Sequence, residues 1–302
     1  MLDILTRAGC FVAIIALGHI LRRTGFFGPE TFGLLSKIVM KITLPCALLA
    51  SAAGKPIDAS MLSITLLGLG GGVVYMFMGW LMQRKGTPSQ KAYYIQNTAG
   101  YNIGTFALPF TQSFLGPMGV LTTSIFDVGN AFICFGTSFS IAKSVKEGCK
   151  PNFRRVSTAA FRSLPFLTNV VMAMLNLAHL APPKAVVSFA QIVGNANAFL
   201  AMLMIGVGFQ LSADKTKLGT MTKILGVRFG IAAVLALCYY YLLPFSLEIR
   251  QALVILAFSP IGSTVPVFTA ELEEDVGLSS ATNSASIVIS IFIIVTLLTV
   301  ML

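Results

Sequence analysis

Charged residues are scarce in this chain of 302 residues. They make up 11% of the sequence, whereas hydrophobic residues make up 56%. A soluble domain carries about a quarter charged residues, so the composition excludes an ordinary soluble protein and indicates a polytopic integral membrane protein. The formal net charge of +10 does not indicate nucleic-acid binding, because the basic residues are spread over short connections between apolar stretches.

Histidine and clustered cysteine are also lacking. The only histidines, His19 and His179, fall near the ends of apolar stretches, and the five cysteines form no Cys-x-x-Cys pair. This excludes a zinc site and a disulfide framework. A membrane hydrolase needs a Ser/His/Asp set or a metal cluster, which two peripheral histidines do not supply. We therefore expect no enzyme activity and no cofactor, apart from a coupled proton or sodium ion.

Long apolar runs dominate what remains. A membrane span needs about 20 mostly apolar residues, and the chain offers about ten such segments, of which the fourth and ninth are the least apolar. We predict spans at 3–22, 31–53, 60–83, 91–114, 118–142, 158–180, 184–211, 219–243, 249–271 and 277–302.

Lysine and arginine lie mostly in alternate connections. The positive-inside rule then places both termini on the non-cytoplasmic side of the cell membrane. The acidic cluster Glu271, Glu273, Glu274 and Asp275 would be cytoplasmic, which the rule tolerates because acidic residues contribute little to it. The opposite side has only Arg7, Lys55, Lys184 and Arg250, against fifteen basic residues in the first, third, fifth and seventh connections: Arg22, Arg23, Arg84, Lys85, Lys91, Lys143, Lys146, Lys150, Arg154, Arg155, Arg162, Lys215, Lys217, Lys223 and Arg228.

The most basic connection separates two halves of five spans each. We predict a first repeat at 1–143, a cytoplasmic basic linker at 144–157 and a second repeat at 158–302. Because five is odd, the second half must enter the membrane upside down relative to the first. This is the inverted repeat found in many secondary transporters.

Two polar stretches interrupt the fourth and ninth spans at corresponding places of the two halves. Each has a small polar residue seven positions before a proline, with a glycine between them. Proline kinks or unwinds a helix, and unwound backbone survives in a membrane only inside protein or beside a watery cavity. Such matched breaks indicate a transporter's binding site, and helix N-termini there favour anions. The candidate substrate-binding residues are Asn102, Gly104, Thr105, Pro109, Ser259, Gly262, Ser263, Thr264 and Pro266.

Asp127 is the only carboxylate deep within a predicted span. A charge there costs about 3 kcal/mol or more, so it usually faces a cavity. Asp127 is a candidate proton carrier or cation ligand, with Thr122, Thr123, Ser124 and Asn130 as neighbours on the same helix. The alternative is a structural aspartate bonded to the backbone of a broken helix. Asn130 and, in the last span, Asn283 are further candidates for ion coupling.

Several motifs together resemble the auxin efflux carrier family, in its bacterial form. They are Gly18-His-Ile-Leu-Arg-Arg-Thr-Gly25, Thr43-Leu-Pro-Cys-Ala-Leu-Leu49, Asn102-Ile-Gly-Thr-Phe-Ala-Leu-Pro109, Asp127-Val-Gly-Asn130 and the serine-rich last span. The resemblance implies an all-α polytopic fold of ten helices in two inverted five-helix repeats, with a scaffold domain and a transport domain. In that domain the broken helices 4 and 9 cross, as in bile-acid symporters and sodium/proton antiporters.

The same resemblance implies elevator-like alternating access for an organic anion bound at the crossing. The central loop is short, as in bacterial members, which favours a small carboxylate such as malate or malonate over auxin. Expected partners are this anion and the lipid bilayer, without nucleic acid. Fold analogy alone suggests a homodimer through the scaffold domain.

Two other functions stay open from the sequence. A sodium-coupled symporter of the bile-acid type would need several converging Asn, Gln, Glu and carbonyl ligands, and intramembrane acids are few. A non-transporting membrane sensor could use the same scaffold, since binding alone does not prove turnover. Flux into liposomes distinguishes a carrier from a sensor.

Overall fold

The structure, a computed structural model, describes residues 2–54, 59–210 and 217–301. The described residues form helices joined by loops, without a β-strand. This confirms the predicted all-α membrane fold class. Lys55 and Lys215, two of the basic residues used to predict orientation, lie outside the described residues.

The first half contains eight α-helices and several tighter or wider helical turns. A 3₁₀ turn at Ala59–Leu62 precedes α4, and π-helical turns occupy Val39–Thr43, Ile103–Ala107 and Ile133–Thr137. The α-helices are α1 (Leu2–Arg23), α2 (Thr31–Ile38), α3 (Leu44–Ala52), α4 (Ser63–Met82), α5 (Pro88–Thr98), α6 (Leu108–Phe114), α7 (Gly116–Phe132) and α8 (Ser138–Glu147).

The second half contains the other eight described α-helices. They are α9 (Phe153–Phe161), α10 (Leu164–Leu177), α11 (Lys184–Asn195), α12 (Asn197–Gly208), α13 (Leu218–Tyr241), α14 (Leu247–Ala257), α15 (Val265–Glu271) and α16 (Val276–Met301). The basic linker predicted at 144–157 is mostly helical, because α8 continues to Glu147 and α9 begins at Phe153.

Seven helical segments of the described chain are long and apolar enough to cross a membrane. The pair α9–α10, bent by 74°, makes an eighth if it counts as one span. The two remaining predicted spans are the fourth and ninth, which the structure divides into α5 with α6 and α14 with α15. Because each of these spans is interrupted, none of the four helices is long enough by itself to cross a membrane.

Glycine allows the closest helix contact in the first half. A Cβ atom at Gly68 of α4 would lie 2.1 Å from the carbonyl oxygen of Phe126, and one at Gly129 of α7 would lie 1.9 Å from that of Thr65. Small residues let membrane helices approach in this way. Glycine at these two positions therefore allows α4 and α7 to pack at this short distance. Many large apolar side chains are exposed on the outer surface of the bundle, as expected for groups that face lipid.

Ion pairs join the acidic connection after α15 to basic residues elsewhere. Glu271 pairs with Arg155 at 2.7 Å, Glu274 pairs with Lys146 at 2.9 Å, and Asp275 pairs with Lys217. The acidic cluster that looked discordant in the sequence therefore lies against the predicted cytoplasmic basic connections and neutralises part of their charge.

Asp275 also binds the first turn of the last helix. Its carboxylate accepts a hydrogen bond from the backbone N–H of Leu278 at 2.9 Å. This bond, with the ammonium of Lys217, holds the pKa of the Asp275 carboxyl below its usual range.

Candidate functional site

The first break lies between α5 and the π-helical turn at Ile103. Gly100 has a φ of +74°, a conformation that favours glycine. Asn130 of α7 binds both backbone groups of the next residue, Tyr101: its Oδ1 accepts from the Tyr101 N–H at 2.9 Å, and its Nδ2 donates to the Tyr101 carbonyl at 3.0 Å. A side chain from the fifth span thus satisfies backbone that would otherwise be unpaired inside the membrane.

The second break, between α14 and α15, is supported in the same way by α16. The Ile261 N–H donates to the hydroxyl of Ser286 at 3.1 Å, and the Asn283 side-chain amide donates to the Gly262 carbonyl at 3.2 Å. The helices that support the two breaks, α7 and α16, are the last spans of their respective halves. Each break therefore depends on polar side chains from the end of its own half.

The two breaks meet each other directly. The Asn102 N–H donates to the carbonyl of Pro260 at 2.9 Å. Each break thereby supplies a backbone partner to the other, and the fourth and ninth spans contact at their unwound segments.

Arg228 of α13 holds the same junction, although the sequence predicts it in a connection between spans. Its predicted place in the seventh connection is wrong, because Arg228 lies within α13 with 1% of its surface exposed. Its guanidinium donates to four backbone carbonyls, two from each break: Thr98 at 2.5 Å, Gly100 at 2.7 Å, Ser259 at 3.1 Å and Pro260 at 3.1 Å. A charged residue inside a predicted span was the available signal for a functional residue.

The two prolines both lie in the first turn of a half-helix, but the backbone that precedes them differs. Pro266 lies in the first turn of α15, as expected for a residue that begins a new half-helix. Pro109 lies in the first turn of α6, but that turn continues from the π-helical turn at Ile103–Ala107. The helical backbone of the first break therefore begins six residues before Pro109.

A cavity of about 540 Å³ opens beside the crossing. Both breaks line it, together with residues of α1 and α12. The candidate residues that line this cavity are Asn102, Thr105, Ser263, Pro266 and Asn283. Three side chains of basic type also line it, namely His19, Arg22 and Arg23, and the described lining contains no aspartate or glutamate.

A smaller cavity of about 70 Å³ lies on another side of the same junction. Asn102, Thr105 and Ser263 line both cavities. Five other candidates line only the smaller one: Gly104, Gly262, Thr264, Asp127 and Asn130. The residues of the crossing therefore line two cavities, a larger one and a small one that contains the carboxylate of Asp127.

Asp127 has one of its predicted partners. The Asn130 amide donates to its carboxylate at 3.0 Å. Thr122, Thr123 and Ser124 instead donate to backbone carbonyls four residues earlier in α7, at 2.9, 2.8 and 3.0 Å respectively. The predicted alternative, in which the aspartate binds the unwound backbone, fits Asn130 better than Asp127.

Two candidate residues line neither of these cavities. Pro109 is buried in α6, and Ser259 is buried in the second break with a hydroxyl that has no described partner. Both can affect the site only through the backbone they shape. Arg22 and Arg23, which the sequence predicts only as topology signals, also lie on the wall of the larger cavity.

The Thr105 hydroxyl donates to the Asn102 side-chain oxygen across the first turn of the helix. This contact orients two polar side chains that face both cavities. The arrangement offers amide and hydroxyl groups around a water-accessible space, which is suited to binding a small polar solute.

Comparison with known proteins supports the transporter interpretation. A family model described as "Membrane transport protein" matches residues 10–160, which is half of the chain and includes the first break, Asp127 and Asn130. No curated protein matches the chain. The chain belongs to the membrane transport protein family, in agreement with its resemblance to auxin efflux carriers.

Proposed function

We propose that this protein carries a small organic carboxylate across the cell membrane by alternating access at the crossing of its two broken spans. The observation that carries the proposal is that both breaks line one cavity of about 540 Å³. This volume lies within the range of roughly 300–1,000 Å³ that is typical of small-molecule sites. Matched helix breaks are the sites where secondary transporters bind their substrates.

The charged residues in the lining of the cavity favour an anion. Its described lining includes Arg22 and Arg23 but no acidic residue, so its electrostatic field attracts negative charge. Asn102, Thr105 and Ser263 supply amide and hydroxyl donors where the half-helices begin. A dicarboxylate such as malonate or malate offers one carboxylate to these donors and a second to the arginines.

The walls of the cavity support an elevator-like movement. One wall comes from α1 and α12, which pack closely on each other: a Cβ atom at Gly206 would lie 2.1 Å from the Ile15 carbonyl oxygen. The other wall comes from the two breaks and α16. A substrate held at such a boundary moves across the membrane when the broken spans slide against the α1–α12 pair.

The proposed carrier has two inverted repeats, and its cavity opens toward the cytoplasm. The pairing of α1 with α12 corresponds to the pairing of α10 with α3 when the halves are exchanged. Arg22 and Arg23 end the first span next to the cavity, so with both termini outside the cell the cavity opens toward the cytoplasm. Asp127, in the small cavity, is the proposed group for coupling to a proton or sodium gradient.

Counterflow into liposomes tests this function. Purified protein is reconstituted with an unlabelled carboxylate inside, and uptake of the labelled compound is measured for malate, malonate and indole-3-acetate. Saturable uptake of one of them, absent from empty liposomes, is the expected result. Folded protein that gives no flux of any carboxylate would reject the function and favour a sensor.

A further inference from the structure

Arg228 occupies an unusual place for a buried arginine. Its two terminal nitrogens bind four carbonyl oxygens, two in each broken span, and its guanidinium lies 4.6 Å from the ring centre of Tyr75 and 5.5 Å from that of Tyr101. Within the described residues, no carboxylate forms an ion pair with it. Its electrostatic partners are therefore backbone dipoles and aromatic faces.

The four carbonyls need a cation. They lie at or just beyond the C-terminal ends of α5 (Pro88–Thr98) and α14 (Leu247–Ala257), where backbone oxygens lack intrahelical partners and the helix dipole is negative. Bringing two such ends together without a positive charge would be unfavourable in a medium of low dielectric constant. In secondary transporters, unwound carbonyls and half-helix C-termini of this kind coordinate the coupling Na⁺ or H⁺.

We propose that Arg228 is a built-in cation that takes the place of a coupling sodium ion at this carbonyl cluster. The inference rests on the proposed carrier function and makes it more specific. A guanidinium attached to α13 cannot dissociate, so the two breaks stay assembled through the transport cycle without bound Na⁺. Substrate binding and transport are then independent of sodium, and any ion coupling falls to a proton at Asp127.

The geometry requires arginine in particular. A guanidinium presents five N–H donors in a plane, whereas a lysine ammonium presents three from a single nitrogen. One terminal nitrogen of Arg228 donates to the Thr98 carbonyl and the other reaches those of Gly100, Ser259 and Pro260, so the planar group spans both chain segments. The guanidinium also lies over the rings of Tyr75 and Tyr101, a cation–π contact that arginine makes more often than lysine.

Arg250 offers a matched control. It belongs to α14, is partly buried, donates to the Tyr240 carbonyl at 2.8 Å and lies 5.6 Å from the ring centre of Tyr240. It therefore has the same kinds of contact as Arg228 but touches neither break. Loss of Arg250 should alter stability without creating a demand for a cation.

The first measurement compares wild-type counterflow in sodium chloride and choline chloride at equal ionic strength. Equal rates are expected. A wild-type rate that rises with Na⁺ would overturn the proposal even if Arg228 proves important for folding. Absence of carboxylate flux in both salts would instead reject the carrier function. The unfolding temperatures of the Arg228 variants would then test the cation role of Arg228 without any transport assay.

The second measurement follows the apparent unfolding temperature in detergent without substrate, for wild type, Arg228→Ala, Arg228→Lys and Arg250→Ala. Removing a buried charge from its partners is strongly destabilising, so the alanine variant should unfold at a lower temperature than wild type. Low millimolar guanidinium or Na⁺, each compared with choline, should raise that temperature for Arg228→Ala only. Folding of Arg228→Ala solely when guanidinium is present would also support the proposal.

In liposomes, counterflow by Arg228→Ala should fall by at least about tenfold in choline chloride and recover in part with guanidinium or Na⁺. Arg228→Lys should retain more activity than the alanine variant because it keeps the charge. Counterflow by Arg228→Ala at the wild-type rate would overturn the proposal. So would a slow Arg228→Ala variant that no cation rescues, if Arg228→Lys is equally slow.

Discussion

The backbone N–H of Asn102 donates a hydrogen bond of 2.9 Å to the carbonyl oxygen of Pro260. These residues are far apart in sequence and belong to the two broken spans. Their contact joins the unwound backbone of both halves in the protein interior, where both residues are buried. The position of each half-helix is therefore fixed partly by the other, and the cavity walls formed by the two breaks should move as one unit.

Asp127→Asn should abolish uptake driven by a pH gradient. The amide keeps the shape and the contact with Asn130 but cannot ionise. The apparent unfolding temperature should change little, because the described residues place no cation in ion-pair contact with the carboxylate. Uptake into liposomes with an imposed pH gradient is the measurement. Glu248→Gln, an exposed carboxylate change in α14, is the control, and gradient-driven uptake by Asp127→Asn at the wild-type rate would remove the role of Asp127.

Pro109→Ala should weaken substrate binding by several-fold although Pro109 lines neither cavity at the crossing. The proline lacks a backbone donor directly after the π-helical turn, and alanine would allow regular α-helical bonding there. That change would rotate Thr105 away from its present direction. Binding is measured by titration calorimetry, with exposed Pro117→Ala at the start of α7 as the control. Unchanged affinity in Pro109→Ala would count against a site whose geometry depends on this turn.

Gly68→Ala should destabilise the protein by about 1–3 kcal/mol, the usual cost of overpacking. The new methyl group would lie 2.1 Å from the backbone oxygen of Phe126, which cannot move aside cheaply. Gly70→Ala is the matched control, since a Cβ atom there meets nothing within 4 Å. The apparent unfolding temperatures of the two variants test this contact. Equal temperatures would contradict the close packing of α4 against α7 at Gly68.

Asp275 should make the stability of the folded protein depend on pH under acidic conditions. Its folded-state pKa is lowered, first by the Leu278 N–H and then by Lys217, so its contribution is complete above the unfolded pKa of about 3.9. That contribution is lost as the pH falls through the lower, folded value. Unfolding temperatures between pH 3 and pH 6 should fall more steeply for wild type than for Asp275→Asn, which keeps the cap but has no charge. Parallel curves would contradict this role.

The sequence was sufficient to locate the breaks because proline, glycine and small polar residues stand out against an apolar background. The same contrast identified Asp127 and Asn283. It did not reveal which partners these residues bind: Asn130 supports Tyr101, and Asn283 supports Gly262. Such contacts depend on how distant helices pack, and periodicity within one helix carries no information about that.

For Arg228, the sequence-based prediction of its location was itself wrong. Counting charges per connection assigned it to a loop, although it lies ten residues into α13. The positive-inside rule treats every arginine near a span end as equivalent, whereas the cost of a buried charge makes one such residue very different. Arg22 and Arg23 were likewise interpreted through topology alone, so their position on the cavity wall came only from the structure.

The most direct test of the account is the affinity of the purified protein for the carboxylate that gives the fastest counterflow. Titration calorimetry compares wild type with Asn102→Ala, at the crossing, and with Asn176→Ala, a buried asparagine of α10 that donates to the Ala52 carbonyl at 2.9 Å. We expect saturable binding to wild type, a loss of about tenfold or more in Asn102→Ala, in line with a lost hydrogen bond to a charged group, and no change in Asn176→Ala. Equal affinity in wild type and Asn102→Ala would contradict a carboxylate site at the crossing.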